Sequence, residues 1–184
     1  MHACTRCGLH EQRQQAVFGT GNPYAEIMVI GEGPGEEEDR QGLPFVGKSG
    51  QLLDKILAAA GFSREENVFI ANIVKCRPPG NREPLPEERA ACLPYLLFQI
   101  EFISPSIIIL LGATALKGLI DPDGKISQVR GKWMEWNNIH VMPTYHPSAL
   151  LRNPDLKKDV WEDMKLVVSK YREVVDPNHR SQYL

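Results

Sequence analysis

A chain of 184 residues with 21 lysines and arginines against 23 aspartates and glutamates carries a formal net charge of −2, and 42% of it is apolar. Folding at this length buries roughly 70% of the surface the unfolded chain exposes, which removes any need for disulfide staples, and the composition is that of one globular domain. The small net charge excludes a global pull toward nucleic acid or an anionic membrane, so a polyanion must be held by local basic loops.

The first apolar run, residues 27–30, reads as a strand with no polar face. Leu52, Leu53, Ile56, Leu57 and Ala60 then fall at helical spacing. Residues 68–74 form the second strand, and Pro86 with Glu87 and Glu88 opens a helix that runs through about residue 102. Residues 107–111 make the third strand, followed by a helix over 112–120. Residues 139–142 make the fourth strand. Asn153, Pro154 and Asp155 supply a cap, a first-turn proline and an acid before the helix that carries Val160, Trp161, Met164, Val167, Val168 and Tyr171. Alternating strands and helices with continuously apolar strands predict an α/β fold, a parallel sheet covered on both faces. Sites in such folds sit at the carboxyl ends of the strands, here residues 31–46, 75–86, the neighbourhood of Gly112, and 143–153. No run reaches the ~20 apolar residues of a membrane span.

Cys4, Cys7, Cys76 and Cys92 form the pattern C-x2-C-x68-C-x15-C. The first seven residues lack the basic start and apolar stretch of a secretory signal, which predicts a cytoplasmic protein, and such proteins rarely make structural disulfides. Four thiols converging from a terminal pair, a strand end and a helix suit zinc or an iron–sulfur cluster, and spacing does not separate the two.

Gly31-Glu-Gly-Pro-Gly-Glu-Glu-Glu-Asp39 follows the first strand but fails as a dinucleotide fingerprint: Glu36 stands where the third glycine belongs, Pro34 interrupts the turn, and the acids would repel a pyrophosphate. Its glycines let the backbone approach a flat ligand. After the fourth strand, Pro147 holds His146 extended, where an imidazole can donate to a developing anion. Leu150 and Leu151 beside Arg152 read either as a wedge that separates base steps or as an ordinary hydrophobic staple. Lys75, Arg77 and Arg82 lie in one acid-free stretch, and Lys125, Arg130 and Lys132 in another, both placed to contact phosphates.

Taken together, the glycine-rich segment, Pro44-Phe-Val-Gly47, Asn72-Ile-Val-Lys-Cys-Arg-Pro-Pro79 and His146-Pro-Ser-Ala-Leu-Leu-Arg-Asn153 resemble the family 4 uracil-DNA glycosylases, from about Cys4 to Lys170. The resemblance implies a monofunctional DNA-repair hydrolase, with residues 1–184 as one domain and 173–184 as its tail. It implies a three-layer αβα architecture around a four-stranded parallel sheet, and a [4Fe–4S] cluster on Cys4, Cys7, Cys76 and Cys92. The enzyme would flip uracil out of single- or double-stranded DNA, release it as the free base and act as a monomer. Phe45 would stack on the base, Asn72 would pair with O4 and N3–H, and the backbone of Gly31, Glu32 and Gly33 would meet the remaining edge. Glu38 would wall off C5, His146 would stabilise the anion at O2, and Asn81 or a loop carboxylate would orient water. Lys75, Arg77, Arg82, Arg130, Lys132, Leu150, Leu151 and Arg152 would contact DNA. An electron carrier would explain the cysteines alone. A protein that traps uracil-DNA covalently would need a histidine in residues 77–84, where there is none.

Overall fold

The strand residues have apolar side chains pointing both ways, so each strand needs cover on two faces, and the computed structural model, which describes residues 3–183, supplies it. In chain order the strands are β1 (Thr20–Gly21), β2 (Ile27–Gly31), β3 (Val68–Asn72), β4 (Ile107–Leu111), β5 (Met134–Trp136) and β6 (Ile139–Thr144). The helices are α1 (Glu36–Gln41), α2 (Lys48–Ala59), α3 (Pro86–Ile103), α4 (Gly112–Leu119), α5 (Ile126–Val129), α6 (Pro147–Arg152) and α7 (Leu156–Val174). Residues on β2 alternate between two cores. Met28 and Ile30 join Leu96 and Ile100 of α3 and Leu116 of α4, while Ile27 and Val29 join Leu53 and Leu57 of α2 and Val160, Met164 and Val167 of α7. The layers are therefore helix, sheet, helix.

The sheet order is β1-β3-β2-β4-β6-β5. The inner neighbours β3, β2, β4 and β6 run parallel, but β1 and β5 pair antiparallel at the two edges. The expectation of a four-stranded parallel sheet is thus corrected to a six-stranded mixed one. Two residues of β1 and three of β5 are too few to show alternation in the sequence. The hairpin between β5 and β6 turns on Asn137 and Asn138, both at positive φ, the conformation of a two-residue hairpin loop for which asparagine is favoured.

Two stretches read as loops contain helical turns, α1 in the glycine-rich segment and α6 after the histidine. Before α7, the Asn153 side chain accepts from the Asp155 N–H at 3.3 Å instead of capping the helix, which begins only at Leu156. The tail from residue 175 packs back on the body: the His179 ring stacks on Phe62 with centroids 4.6 Å apart. Residues 1, 2 and 184 of the expected domain lie outside the described residues. The chain leaves β2 for β3 on one side and later occupies β4 on the other, so the crevice of the sheet opens at the carboxyl end of β2.

Candidate active site

At that crevice lies a cleft of about 420 Å³, within the size range of small-molecule sites. Of the residues expected there, Glu32, Gly33, Glu38, Phe45, Asn72, Asn81, Arg82, His146 and Arg152 line it. Gly31 lies just beneath: a Cβ on it would sit 2.5 Å from Phe45 Cζ and 2.6 Å from Asn72 Oδ1, so only glycine leaves room for both side chains.

Asn72 closes β3 in register with Gly31. Its side chain is 2% exposed, and among the described residues its Oδ1 is buried with no hydrogen-bond partner. Leaving a buried acceptor unpaired costs about 1–3 kcal/mol, so a donor entering the cleft at this position would be stabilised. The carbonyls of Gly31 and Glu32 already accept from Ile73 and Val74 at 2.9 and 3.1 Å.

His146 is the N-cap of α6, and its Nδ1 accepts the Ser148 N–H at 3.1 Å, with Ser148 Oγ 2.8 Å away. Accepting at Nδ1 puts the proton of the neutral ring on Nε2. Burial, reinforced by the Arg152 charge and opposed by Glu38, pushes its pKa down to about 4, so the ring is neutral at pH 7. The Phe45 ring lies 5.5 Å from it, tilted by 33°.

The carboxylates are engaged rather than free. Thr114 Oγ1 donates to Glu32 at 2.5 Å, and burial raises the Glu32 carboxyl above the usual range while that hydroxyl draws it back. Glu38 accepts the N–H groups of Val46 and Gly47, each at 2.9 Å, and so folds the segment that carries Phe45. Asn81, at φ 57°, accepts from Arg77 Nε at 2.7 Å. Arg82 forks onto Glu88 at 2.7 and 2.8 Å, and Glu88 also accepts the Leu85 N–H at the start of α3.

Three residues expected to contact DNA are engaged within the fold instead. Lys75 is 1% exposed, and its ammonium donates inward to the Asn72 carbonyl at 2.8 Å and to Gln99 Oε1 at 2.5 Å. Burial pulls its pKa down to about 7. Arg130 is committed to α7, donating to both carboxylate oxygens of buried Asp163 and to the Asp159 carbonyl. Leu150 is 1% exposed and packs in the core with Val160 and Met164 of α7; Leu151, on the same short helix, is 48% exposed. Arg77, Lys132 and Leu151 do not line the cleft. Sequence reasoning missed Ser148 as partner of His146. The only signal was its place after a proline at the first helical position, where an N-cap side chain meets the N–H of residue 148.

Behind β3, Cys4, Cys7, Cys76 and Cys92 line one small cavity, together with Arg13, Lys75 and Tyr95. All four are free thiols. Arg13 donates to Cys76 Sγ at 3.0 Å and the Lys75 N–H to Cys92 Sγ at 3.2 Å. Burial pushes the Cys92 thiol up to about 11, the Lys75 N–H drawing it back, and burial likewise raises Cys76 against the pull of Arg13. For Cys4 burial also acts upward, but the Tyr95 hydroxyl and the nearby arginines outweigh it and the net shift is downward. Among the described residues no three His, Cys, Asp or Glu side chains close on one point as ligands of a single ion.

The family model of the uracil DNA glycosylase superfamily matches residues 18–165. The chain is 51% identical over 168 residues to a type-4 uracil-DNA glycosylase of Thermotoga maritima, covering 88% of this chain and 86% of that protein. It is 49% identical over 173 residues to the type-4 enzyme of Saccharolobus solfataricus, covering 89% and 80%. To that of Sulfurisphaera tokodaii it is 44% identical over 186 residues, covering 95% and 84%.

Proposed function

The chain belongs to the uracil-DNA glycosylase superfamily, and from that premise we propose that it is a type-4 uracil-DNA glycosylase, a DNA-repair hydrolase that cuts the N-glycosidic bond of uracil in DNA and leaves an abasic site. The observation that carries this reading is the buried, unpartnered Oδ1 of Asn72 beside Phe45 and His146. A flipped uracil supplies the missing donor: N3–H donates to Asn72 Oδ1, and the Asn72 amide donates to O4. Cytosine has no N3 proton and carries an amino donor in place of O4, so it leaves the asparagine unpaired and is rejected. Phe45 stacks on the base, the backbone of residues 31–33 borders its other edge, and Glu38, by folding residues 45–47 inward, forms the wall against a C5 methyl.

Bond cleavage leaves negative charge on the uracil, and the neutral His146 donates from Nε2–H to O2, where that charge develops. Water adds its oxygen to C1′ and gives up a proton, and the departing anion is finally protonated to free uracil. Asn81 is the side chain we assign to orienting that water. Arg77, Arg82, Lys132, Arg152 and the exposed Leu151 are read as the DNA-facing set, on single- or double-stranded substrate.

The four cysteines fit a [4Fe–4S] cluster better than a lone ion. All four thiols surround one cavity lined by N–H and guanidinium donors suited to thiolates, yet no tight single-ion group exists among the described residues. When bound, the cluster supplies a cross-link between residues 4–7, the end of β3 and α3. We read residues 1–184 as one domain and the protein as a cytoplasmic monomer; no helix of the described residues is long and apolar enough to cross a membrane. The test is a labelled oligonucleotide carrying one uracil, with a cytosine control, treated with alkali after incubation. Cleavage at uracil alone is expected, and no cleavage by cluster-loaded protein overturns the reading.

A further inference from the structure

Phe45 sits in a conformation that a bulky residue does not choose for itself. Its φ is 54°, in the left-handed region where the side chain crowds the backbone, so the surroundings must hold it there. The two amides that follow Phe45, those of Val46 and Gly47, are held by Glu38. The two carbonyls that flank Phe45, its own and that of Pro44, are held from outside the cleft by Arg64, which lies between α2 and β3. Arg64 Nη1 donates to the Pro44 carbonyl at 2.7 Å, Nη2 donates to the Phe45 carbonyl, and Nε donates to Asp54 of α2 at 2.7 Å. Room for this arrangement comes from Gly50, where a Cβ would overlap the Phe45 carbonyl. Arg64 is only 16% exposed, a third of the exposure of its carboxylate partner at 50%, and it does not line the cleft.

Two adjacent carbonyls and a carboxylate around one planar group is a pattern that a guanidinium satisfies and an ammonium does not, because only the fork has fixed donors in three directions. The ring that these carbonyls steer has little freedom elsewhere: His146 lies on one side of it and the Gly31 backbone beneath. Releasing the carbonyls lets φ relax toward negative values, and the ring turns out of the slot it shares with Asn72. We propose that Arg64 is a positioning residue for base recognition, its guanidinium locking the Pro44 and Phe45 carbonyls so that the Phe45 ring is set at stacking height over the base while Arg64 never touches substrate. The proposal rests on the reading of Phe45 as the stacking surface.

The test compares Arg64→Ala, Arg64→Lys and Asp54→Asn with the wild type in the cluster-loaded protein, using single-turnover uracil excision, inhibition by free uracil, binding to uracil-free DNA, and amide hydrogen exchange over residues 44–50. For Arg64→Ala the excision rate is expected to fall by about tenfold to a hundredfold, the effect of roughly 1 Å of misplacement. Free uracil inhibits correspondingly more weakly, exchange at Val46 and Gly47 quickens, and affinity for uracil-free DNA stays put. Arg64→Lys falls between, and Asp54→Asn, which keeps both carbonyl contacts, behaves as wild type. Unchanged excision and uracil inhibition in folded Arg64→Ala overturn the proposal, as does an Asp54→Asn loss as large as that of Arg64→Ala. If Arg64→Ala does not fold, Arg64→Lys decides: weakened uracil inhibition supports the proposal and unchanged inhibition overturns it. A wild type that releases no uracil defeats the glycosylase reading instead, while the exchange of residues 44–50 still reports whether Arg64 holds the segment.

Discussion

The cleft at the strand ends and the thiol cavity share the segment 72–76, yet they treat their polar atoms in opposite ways. In the cleft Asn72 Oδ1 is buried without a donor, and His146 keeps its ring neutral with Nε2–H left to offer. In the cavity the sulfurs of Cys76 and Cys92 already receive hydrogen bonds from Arg13 and the Lys75 N–H. An unmet buried group marks where a partner must arrive during function, and a met one marks where the fold has finished its work. On the function proposed above, the cleft awaits a transient ligand, while the cavity, its sulfurs already receiving donors suited to thiolates, suits a permanent one.

The strongest test of that contrast is Asn72→Ala. Losing two buried hydrogen bonds to the base is expected to lower kcat/KM for uracil about a thousandfold, or roughly 4 kcal/mol, while the protein itself becomes no less stable because the orphaned acceptor is gone. A variant that loses stability along with activity would show that Asn72 is part of the fold's own hydrogen bonding.

His146→Asn is expected to lower the single-turnover rate by about a hundredfold or more with affinity for DNA little changed, the usual effect of removing one donor to a developing anion. The same side chain controls an acid limb of stability. Its pKa is about 4 in the folded protein against an ordinary 6.5, so between those values the unfolded chain binds the extra proton. Stability is then full above pH 6.5 and is lost as pH falls toward 4. Thermal melts of wild type and His146→Asn over that window should show the wild type losing more, and parallel curves would mean the ring is not held neutral.

Much of this was legible in the sequence, and the failures have physical causes. The runs of β2, β3, β4 and β6 are legible because two-sided burial leaves them almost wholly apolar, Asn72, His140 and Thr144 being their only polar residues, and the motifs that carry Phe45, Asn72 and His146 meet in one cleft. The edge strands were too short to carry a pattern, although Asn137-Asn138 was a hairpin signal in plain view. Leu150 and Leu151 look identical as neighbours in a sequence, and only the register of a six-residue helix buries one and exposes the other. Lys75 read as a surface cation because it sits among basic residues, but the chain continuing from β3 carries it inward. Arg64 had no motif at all, since the two partners that matter for Phe45 are backbone carbonyls about twenty positions away in the chain and a sequence does not display carbonyls.

Cys92→Ala tests the other half of the contrast. Removing one anchor of the proposed cluster cross-link is expected to destabilise the fold by roughly 3 kcal/mol, by analogy with opening a long covalent loop, and to expose the segment around Cys4 and Cys7 to proteolysis. Below its melting temperature the variant should excise uracil at a rate within about tenfold of wild type. A folded Cys92→Ala protein without activity would mean that the cavity takes part in the chemistry.

The smallest effect is expected where the two regions meet. Lys75 donates through its backbone to Cys92 and through its ammonium to the Asn72 carbonyl and Gln99, and Gln99 in turn donates to the Phe18 carbonyl at 2.8 Å. Lys75→Met keeps the length and the backbone contact but removes the ammonium. Relief from burying a cation favours the variant, while two buried acceptors lose their donor at about 1–3 kcal/mol each, so the melting temperature should move by only a few degrees in either direction. The freed Asn72 carbonyl loosens the end of β3, and the asparagine amide then meets the base less squarely. The expected reading is a loss of about threefold to tenfold in uracil excision, with a narrower gap between uracil and cytosine and no change in iron content. Loss of iron from Lys75→Met would instead place its main role in the thiol cavity, and the two regions would then have to be treated as one.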